Sequence, residues 1–298
     1  MPISPLADAP LARTNVSGSV ARVALPLPDI DRWVVQALTV EVMLTPKPGL
    51  VDRASNGAHH DMDVALFEKS IGAITPWLRR FIDVGYAHAD VSPKQLLMQV
   101  RPVGMACEQA MLAATHGVNT HKGGIFACGL LCSAAGWLAA NGVVLTQRSL
   151  CQTVANMCRD LVRDELSLSH RAETAGEQLF QRYGLTGARG EAASGFETVT
   201  RLALPAYRQA LGEHDQDMAL LHTLVVLMAH NPDTNIVSRG GMAGLAFVQR
   251  YATDLLKQGV TIPRLQAMDR ALTERHLSPG GTADLLALTW LLHHYPAE

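Results

Sequence analysis

Apolar residues recur at helical spacing from Asp29 almost to the C-terminus, and no stretch shows the two-residue alternation of a strand. An all-α fold is therefore expected. Asp29 is placed to cap a first helix through Trp33, Val34, Ala37, Leu38 and Val40 to about Leu44, where Pro46 and Pro48 stop it. Further helical spacing covers roughly 63–84, 93–115, 124–140, 147–164, 170–182, 191–211, 216–230, 240–256, 263–275 and 282–294. Only 5% of the 298 residues are aromatic, so the core must come from Ala, Leu, Val and Met, which suit closely packed helices. No solenoid repeat and no long linker interrupts residues 29–298. A single large multi-helix globular domain follows, with the Ala- and Gly-rich run Ile125–Ala140 as its buried central helix. That run is uncharged but falls short of the ~20 residues that span a bilayer. Residues 1–28 are rich in Pro, Ala and Ser, lack the apolar stretch of a signal peptide, and are expected to form a disordered arm.

The charge balance narrows the function classes. With 17% charged residues and a formal net charge of -2, the chain has no broad positive field and is not expected to bind nucleic acid. Its five cysteines show no CxxC spacing and read as buried thiols of a cytoplasmic protein. No membrane association is expected.

The limited polar chemistry gathers in five breaks between helical patterns: Thr45–Arg53, Asn56–Asp63, Gly117–Gly124, Asp233–Gly241 and Ser278–Asp284. Glycine lets backbone N–H groups approach an anion, and a helix N-terminus adds partial positive charge. Gly123-Gly124 behind Asn119, Thr120 and Lys122 has that design, as do Arg239-Gly240-Gly241 behind Asn235 and Ser238, and Gly280-Gly281-Thr282. A lone glycine pair is more often an ordinary turn; three such helix starts, two with Lys or Arg, favour polyphosphate. Neither a P-loop nor GxGxxG occurs.

Asp61 and Asp63 follow His59 and His60 at a helix start, where they fit either a cap or a divalent cation. Zinc is disfavoured because neither HExxH nor cysteine partners are present, so magnesium with Asp61, Asp63 and Asp233 suits the site better. Glu41 stands in an otherwise apolar helix and needs a partner, for which Lys47 is the candidate, or a cavity to face. Glu108 lies similarly between Met105 and Met111; for both, a structural ion pair is the alternative reading. No nucleophile motif indicates covalent catalysis.

Glu41 with Thr45–Arg53, His59–Asp63 with Phe67 and Ser70, Gly117–Gly124, Arg189–Ala192 with Gly195 and Phe196, Asp233–Gly241 and Gly280–Leu286 resemble triphosphoribosyl-dephospho-CoA synthase. The resemblance runs in order from about residue 30 to 294 and is closer to the malonate decarboxylase branch than to the citrate lyase branch. It implies an all-helical, cytoplasmic transferase that joins ATP to the 2′-hydroxyl of 3′-dephospho-CoA, releases adenine, and passes its product to a holo-acyl-carrier-protein transferase. It further implies Mg²⁺ near Asp61, Asp63 and Asp233. Phosphate contacts would come from Lys47, Arg53, Asn119, Thr120, Lys122, Gly123, Gly124, Asn235, Ser238, Arg239, Gly240, Gly280, Gly281 and Thr282. Glu41 or Glu108 would be base or cation stabiliser, and His59 or His121 would protonate adenine. A homodimer is compatible with this reading. The competing classes are a magnesium-dependent ADP-ribosyl hydrolase-like enzyme, which would not need dephospho-CoA, and a non-enzymatic nucleotide-binding module, which would release no adenine.

Overall fold

In the computed structural model, residues 23–167 and 174–298 are described, and they contain twelve α-helices and no strand. The first four are α1 (Ile30–Met43), α2 (Val64–Ala87), α3 (Pro93–Ala114) and α4 (Lys122–Ala140). After α5 (Gln147–Cys158) and a π-helical turn come α6 (Ala175–Tyr183) and α7 (Gly187–Ala193). A second π-helical turn leads into α8 (Leu204–Leu211), followed by α9 (Gln216–His230), α10 (Thr234–Gln258), α11 (Ile262–Thr273) and α12 (Gly280–His293). One connected apolar cluster runs through them all except the outlying α6.

Local chemistry sets most helix starts. Asp63, Ser92, Thr146, Thr174, Asp215 and Asp233 each accept a backbone N–H from the first turn of the following helix. Asp29 precedes α1 as expected but makes no side-chain cap bond. The long pattern at 191–211 is divided into α7, a π turn and α8, because Gly195 and Phe196 both adopt positive φ and break the ladder.

The helix α4 is the centre. It is long and apolar enough to cross a membrane, but 78% of its most apolar stretch is buried inside the protein. It packs chiefly on α2 and also touches α1, α3, α5 and α12. Glycines make this close approach possible. A Cβ on Gly85 of α2 would lie 2.0 Å from the Ser133 carbonyl oxygen, and one on Gly136 of α4 would lie 2.1 Å from that of Ile82. The helix α9 fills a similar role between α8, α10 and α12.

Of the expected N-terminal arm, residues 1–22 lie outside the described residues, as do 170–173 of the expected helix at 170–182. Residues 23–28 run extended along the body. There Leu25 donates its N–H to the Ala139 carbonyl and accepts from the Tyr86 hydroxyl.

The stretch Asp233–Gly241 corrects the reading as a loop. It is the start of α10, which continues to a kink at Gly241, where φ 62° and ψ −168° require glycine. Its polar residues misled because they are one face of an amphipathic helix: Ile236 and Val237 are buried while Asn235, Ser238 and Arg239 are exposed.

Candidate active site

The C-terminal end of α1, the loop after it, and the N-terminal ends of α4, α7, α10 and α12 converge on one cleft of about 580 Å³. Glu41, Lys47, His59, Asp61, Asn119, Thr120, His121, Lys122 and Gly123 line it, as do Asp233, Asn235, Ser238, Arg239, Gly280 and Gly281. Four of the five polar breaks and the start of α10 thus meet in one place.

The floor is built on a buried ion pair. Lys47 Nζ lies 2.5 Å from Glu41 Oε1, and the two residues are only 1% and 7% exposed. The expectation of Lys47 as a free phosphate ligand is therefore corrected: its ammonium is already engaged by Glu41. The loop that delivers Lys47 is pinned by Asp52, whose oxygens accept the N–H groups of Lys47, Ala54 and Ser55. Gly49, at φ +73°, is required there, since a Cβ would meet the Leu277 carbonyl oxygen at 2.4 Å.

Asp233 occupies the start of α12. Its carboxylate accepts from the Thr282 N–H at 2.7 Å and the Thr282 hydroxyl at 2.8 Å, and from the Asn235 N–H at 2.8 Å. The anion held by the Gly280-Gly281-Thr282 turn is thus a side chain of the protein, and Thr282 does not line the cleft. At α4, the Lys122 amide goes to Asn119 Oδ1, and the Asp284 carboxyl lies against Gly124. Gly240 packs against Leu277. Arg53 is exposed outside the cleft, its backbone N–H on Thr45 Oγ1. The exposed cations at the rim are Lys122, whose partner is the surface residue Glu108, and Arg239, which stands beside His59.

The carboxylates expected around magnesium are separated by their structural duties. Asp63 caps α2 through Leu66 N–H, Asp233 joins α10 to α12, and Asp61 alone is exposed at the cleft. Among the described residues no three His, Cys, Asp or Glu side chains converge to hold a metal ion. The site does not fit a protein-caged cation.

Each histidine has a defined state. Arg239 Nη2 donates to His59 Nδ1 at 3.2 Å, and since a guanidinium only donates, that nitrogen presents its lone pair. Nε2–H of His59 then donates to Ser278 Oγ at 2.7 Å. Burial, followed by the Arg239 charge, lowers the His59 pKa. The Asp61 carboxylate also faces Nδ1, at 3.7 Å, and partly offsets that lowering. His121 Nδ1 meets Ser70 Oγ at 2.7 Å, Thr120 in turn donates to Ser70, and Nε2 is buried without a partner. Burial and then the Lys47 charge push His121 down to about 3. At neutral pH it is an uncharged hydrogen-bonding group with no acid proton to give.

Two acidic residues at the cleft were not singled out by sequence reasoning. Asp284, on α12, lines the cleft beside Glu41 and Asp233. Burial first, then the charges of Glu41 and Asp233, raise its pKa well above the usual carboxylate range. Glu191, on α7, is raised by burial; one oxygen accepts from the Thr198 hydroxyl and the other is buried without a partner. The signal for Asp284 was present: it is the one charged residue in Gly280–Leu292, the same anomaly that drew attention to Glu41.

This constellation now has relatives to set it against. A family profile described as ATP:dephospho-CoA triphosphoribosyl transferase matches residues 28–298. The chain belongs to this family. It is a transferase of that class and 65% identical over 302 residues, the whole of both chains, to the 2-(5''-triphosphoribosyl)-3'-dephosphocoenzyme-A synthase of Pectobacterium atrosepticum. It is 69% identical over 273 residues, 91% of both chains, to a probable synthase of the same name from Pectobacterium carotovorum. The Klebsiella pneumoniae synthase is 53% identical over 271 residues, covering 89% of this chain and 90% of its own. No solved structure matches the chain.

Glu108 stands apart from the cleft lining. It pairs with Lys122 at 2.6 Å on a solvent-exposed surface. Such pairs contribute about 0–1 kcal/mol. Glu108→Gln is accordingly expected to keep turnover within about threefold of the parent and to shift thermal unfolding by no more than that ~1 kcal/mol implies. A large loss of turnover in folded protein would return Glu108 to the catalytic candidates.

Proposed function

We propose that this protein transfers the 5-triphosphoribosyl group of ATP to the 2′-hydroxyl of 3′-dephospho-CoA and releases adenine. One observation carries the reading: the cleft has a floor of carboxyl groups, the buried Glu41 and Asp233 and the half-buried Asp284, and an exposed cationic rim, Lys122 and Arg239. A ribosyl group in transfer develops positive charge at C1″, which the Glu41 carboxylate on that floor stabilises. Its triphosphate tail is anionic and suits Lys and Arg at the mouth.

In the reaction, the acceptor oxygen attacks C1″ as the bond to N9 of adenine breaks, inverting the anomeric centre. Glu41 is the carboxylate placed to take the hydroxyl proton or to stabilise the oxocarbenium-like centre. His121 braces the wall of the cleft through Ser70, which Thr120 also meets. ATP enters with Mg²⁺ carried on its own phosphates, where Asp61 is the exposed carboxylate at hand.

The overall resemblance favours service to malonate decarboxylase, with citrate lyase the alternative, and a carrier-protein transferase consuming the product in the cytoplasm. Deleting the gene should abolish malonate decarboxylation and leave citrate cleavage intact; the reverse pattern assigns the citrate branch. A homodimer is compatible with this reading, and sedimentation tests it. The reaction itself is tested by incubating the protein with ATP, Mg²⁺ and dephospho-CoA and measuring adenine by chromatography. Release that depends strictly on dephospho-CoA supports transfer. Release without the acceptor points to a hydrolase, and none from folded protein overturns the reading.

A further inference from the structure

Departure of adenine at neutral pH calls for a proton, and both histidines of the cleft are already engaged within the protein, with burial disfavouring their charged forms. His59 has one ring nitrogen facing the Arg239 guanidinium and the other on Ser278. His121 is wedged against Ser70 and the edge of Phe67, near the Lys47 charge. A protonated carboxyl that reaches the cleft is the other group able to serve.

Asp284 has the required geometry. Its carboxyl lies over the start of α4, in space that is open only because residue 123 is glycine: a Cβ there would sit 2.1 Å from Asp284 Oδ2. The carboxyl also lies against Gly124, where a Cβ would sit 3.3 Å from Asp284 Oδ1. Asp284 is crowded by protein yet keeps part of its surface in the cleft. The charged groups facing it are Glu41 from α1, which is paired with Lys47, and Asp233 from the start of α10. The other acidic groups differ. Asp233 is 2% exposed, with its carboxyl taken up by the Thr282 N–H and hydroxyl and the Asn235 N–H, and Glu191 has its free oxygen shut away from water. A pair of neighbouring carboxyls, one ion-paired and one not, is the arrangement that separates a base from an acid.

We propose that Asp284 is the catalytic acid of this transfer, giving its proton to a ring nitrogen of adenine as Glu41 takes the proton of the acceptor hydroxyl. The inference rests on the transfer reaction proposed above. The bond from C1″ to N9 breaks and its electron pair leaves with adenine, which departs neutral after receiving the Asp284 proton. The bond from C1″ to the acceptor oxygen forms, and the acceptor proton goes to Glu41. The step ends with Asp284 ionised and Glu41 protonated, and proton exchange with water resets both. Gly123 and Gly124 are the positioning residues that leave room for the acid.

The test compares Asp284→Asn and Asp284→Glu with the parent for dephospho-CoA-dependent adenine release between pH 5 and 8, with thermal unfolding recorded for each. The parent is expected to hold a plateau through neutral pH. Asp284→Asn should turn over at least about 100-fold more slowly at pH 8, the scale of a lost general acid. Its residual rate should climb as pH falls, because solvent protons then take over. Asp284→Glu, which still carries a proton, should regain part of the rate and the plateau. If Asp284→Asn stays within about threefold of the parent, the proposal is overturned. The same holds if its profile runs parallel to the parent's at all pH values, or if the Glu variant behaves like Asn; each of these marks a structural role. Should the parent itself release no adenine, the reaction assignment fails instead.

Discussion

Glu41→Gln is expected to abolish turnover and to destabilise the fold by about 3–5 kcal/mol, the range found when one partner of a buried ion pair is removed. The reason is the Lys47 ammonium, which is 1% exposed and has Glu41 Oε1 at 2.5 Å as its counter-charge. Removing the carboxylate leaves a cation in a place with little water. Lys47→Met is expected to cost a similar amount by stranding Glu41. The double variant Glu41→Gln/Lys47→Met removes both charges, so most of the stability should return while turnover does not. Urea unfolding combined with adenine release separates the two effects. A Glu41→Gln cost under about 1 kcal/mol would mean that the pair is solvated and that Glu41 has no desolvated floor to act from.

Gly136→Ala is expected to be among the most damaging single-methyl additions at the described glycines. The new Cβ would lie 2.1 Å from the Ile82 carbonyl oxygen and 2.9 Å from the Tyr86 nitrogen. Both are backbone atoms of α2, so no side chain can swing away; α2 and α4 must separate. Gly85→Ala presses from the other side, 2.0 Å from the Ser133 carbonyl oxygen. Overpacking commonly costs about 1–3 kcal/mol and more where backbone is involved, so roughly 3 kcal/mol or more is expected for each. The double variant should cost less than the sum, since one separation relieves both contacts. Gly72→Ala and Gly104→Ala are the controls: nothing lies within 4 Å of either new methyl. There the better helix propensity of alanine should stabilise by up to about 1 kcal/mol. Thermal unfolding that shows equal effects at all four positions would refute the close-packing account of α2 and α4.

Asp284 also links activity to stability. Its folded-state pKa is raised, so folding favours the protonated carboxyl. The sign follows: no cost is felt below the ordinary carboxylate range, and stability is lost as pH rises from there towards the folded-state pKa. Asp284→Asn is therefore expected to raise the melting temperature at pH 8 more than at pH 5. A catalytic acid kept in a crowded, anionic place is the kind of residue for which stability and activity conflict.

Much of the helical framework was legible because it rests on short-range chemistry. The 3.6-residue period marks the helices, and Asp63 and Ser92 announce α2 and α3 by offering an oxygen to the first turn. The polar breaks were legible as a set because so little other charge exists in the chain. Their individual roles were not. Lys47 and Arg239 look alike as loop or helix-end cations. Yet one is sealed against Glu41, and the other stands at the rim beside His59. Asp61, Asp63 and Asp233 look alike as magnesium ligands, and two of them cap helices. Glu108 and Glu41 both interrupt apolar helices, but only Glu41 faces the cleft.

By itself the sequence determined an all-α chain, its central Ala- and Gly-rich helix, the caps, and the concentration of chemistry in a few segments. All of these follow from residues within a turn or two of one another. Only the tertiary structure decided which carboxyl is ion-paired, which is spent on backbone N–H groups, and which has its pKa driven upward by burial and by its neighbours. Charge state depends on burial and on neighbours brought together from α1, α4, α10 and α12, and no local pattern records that meeting.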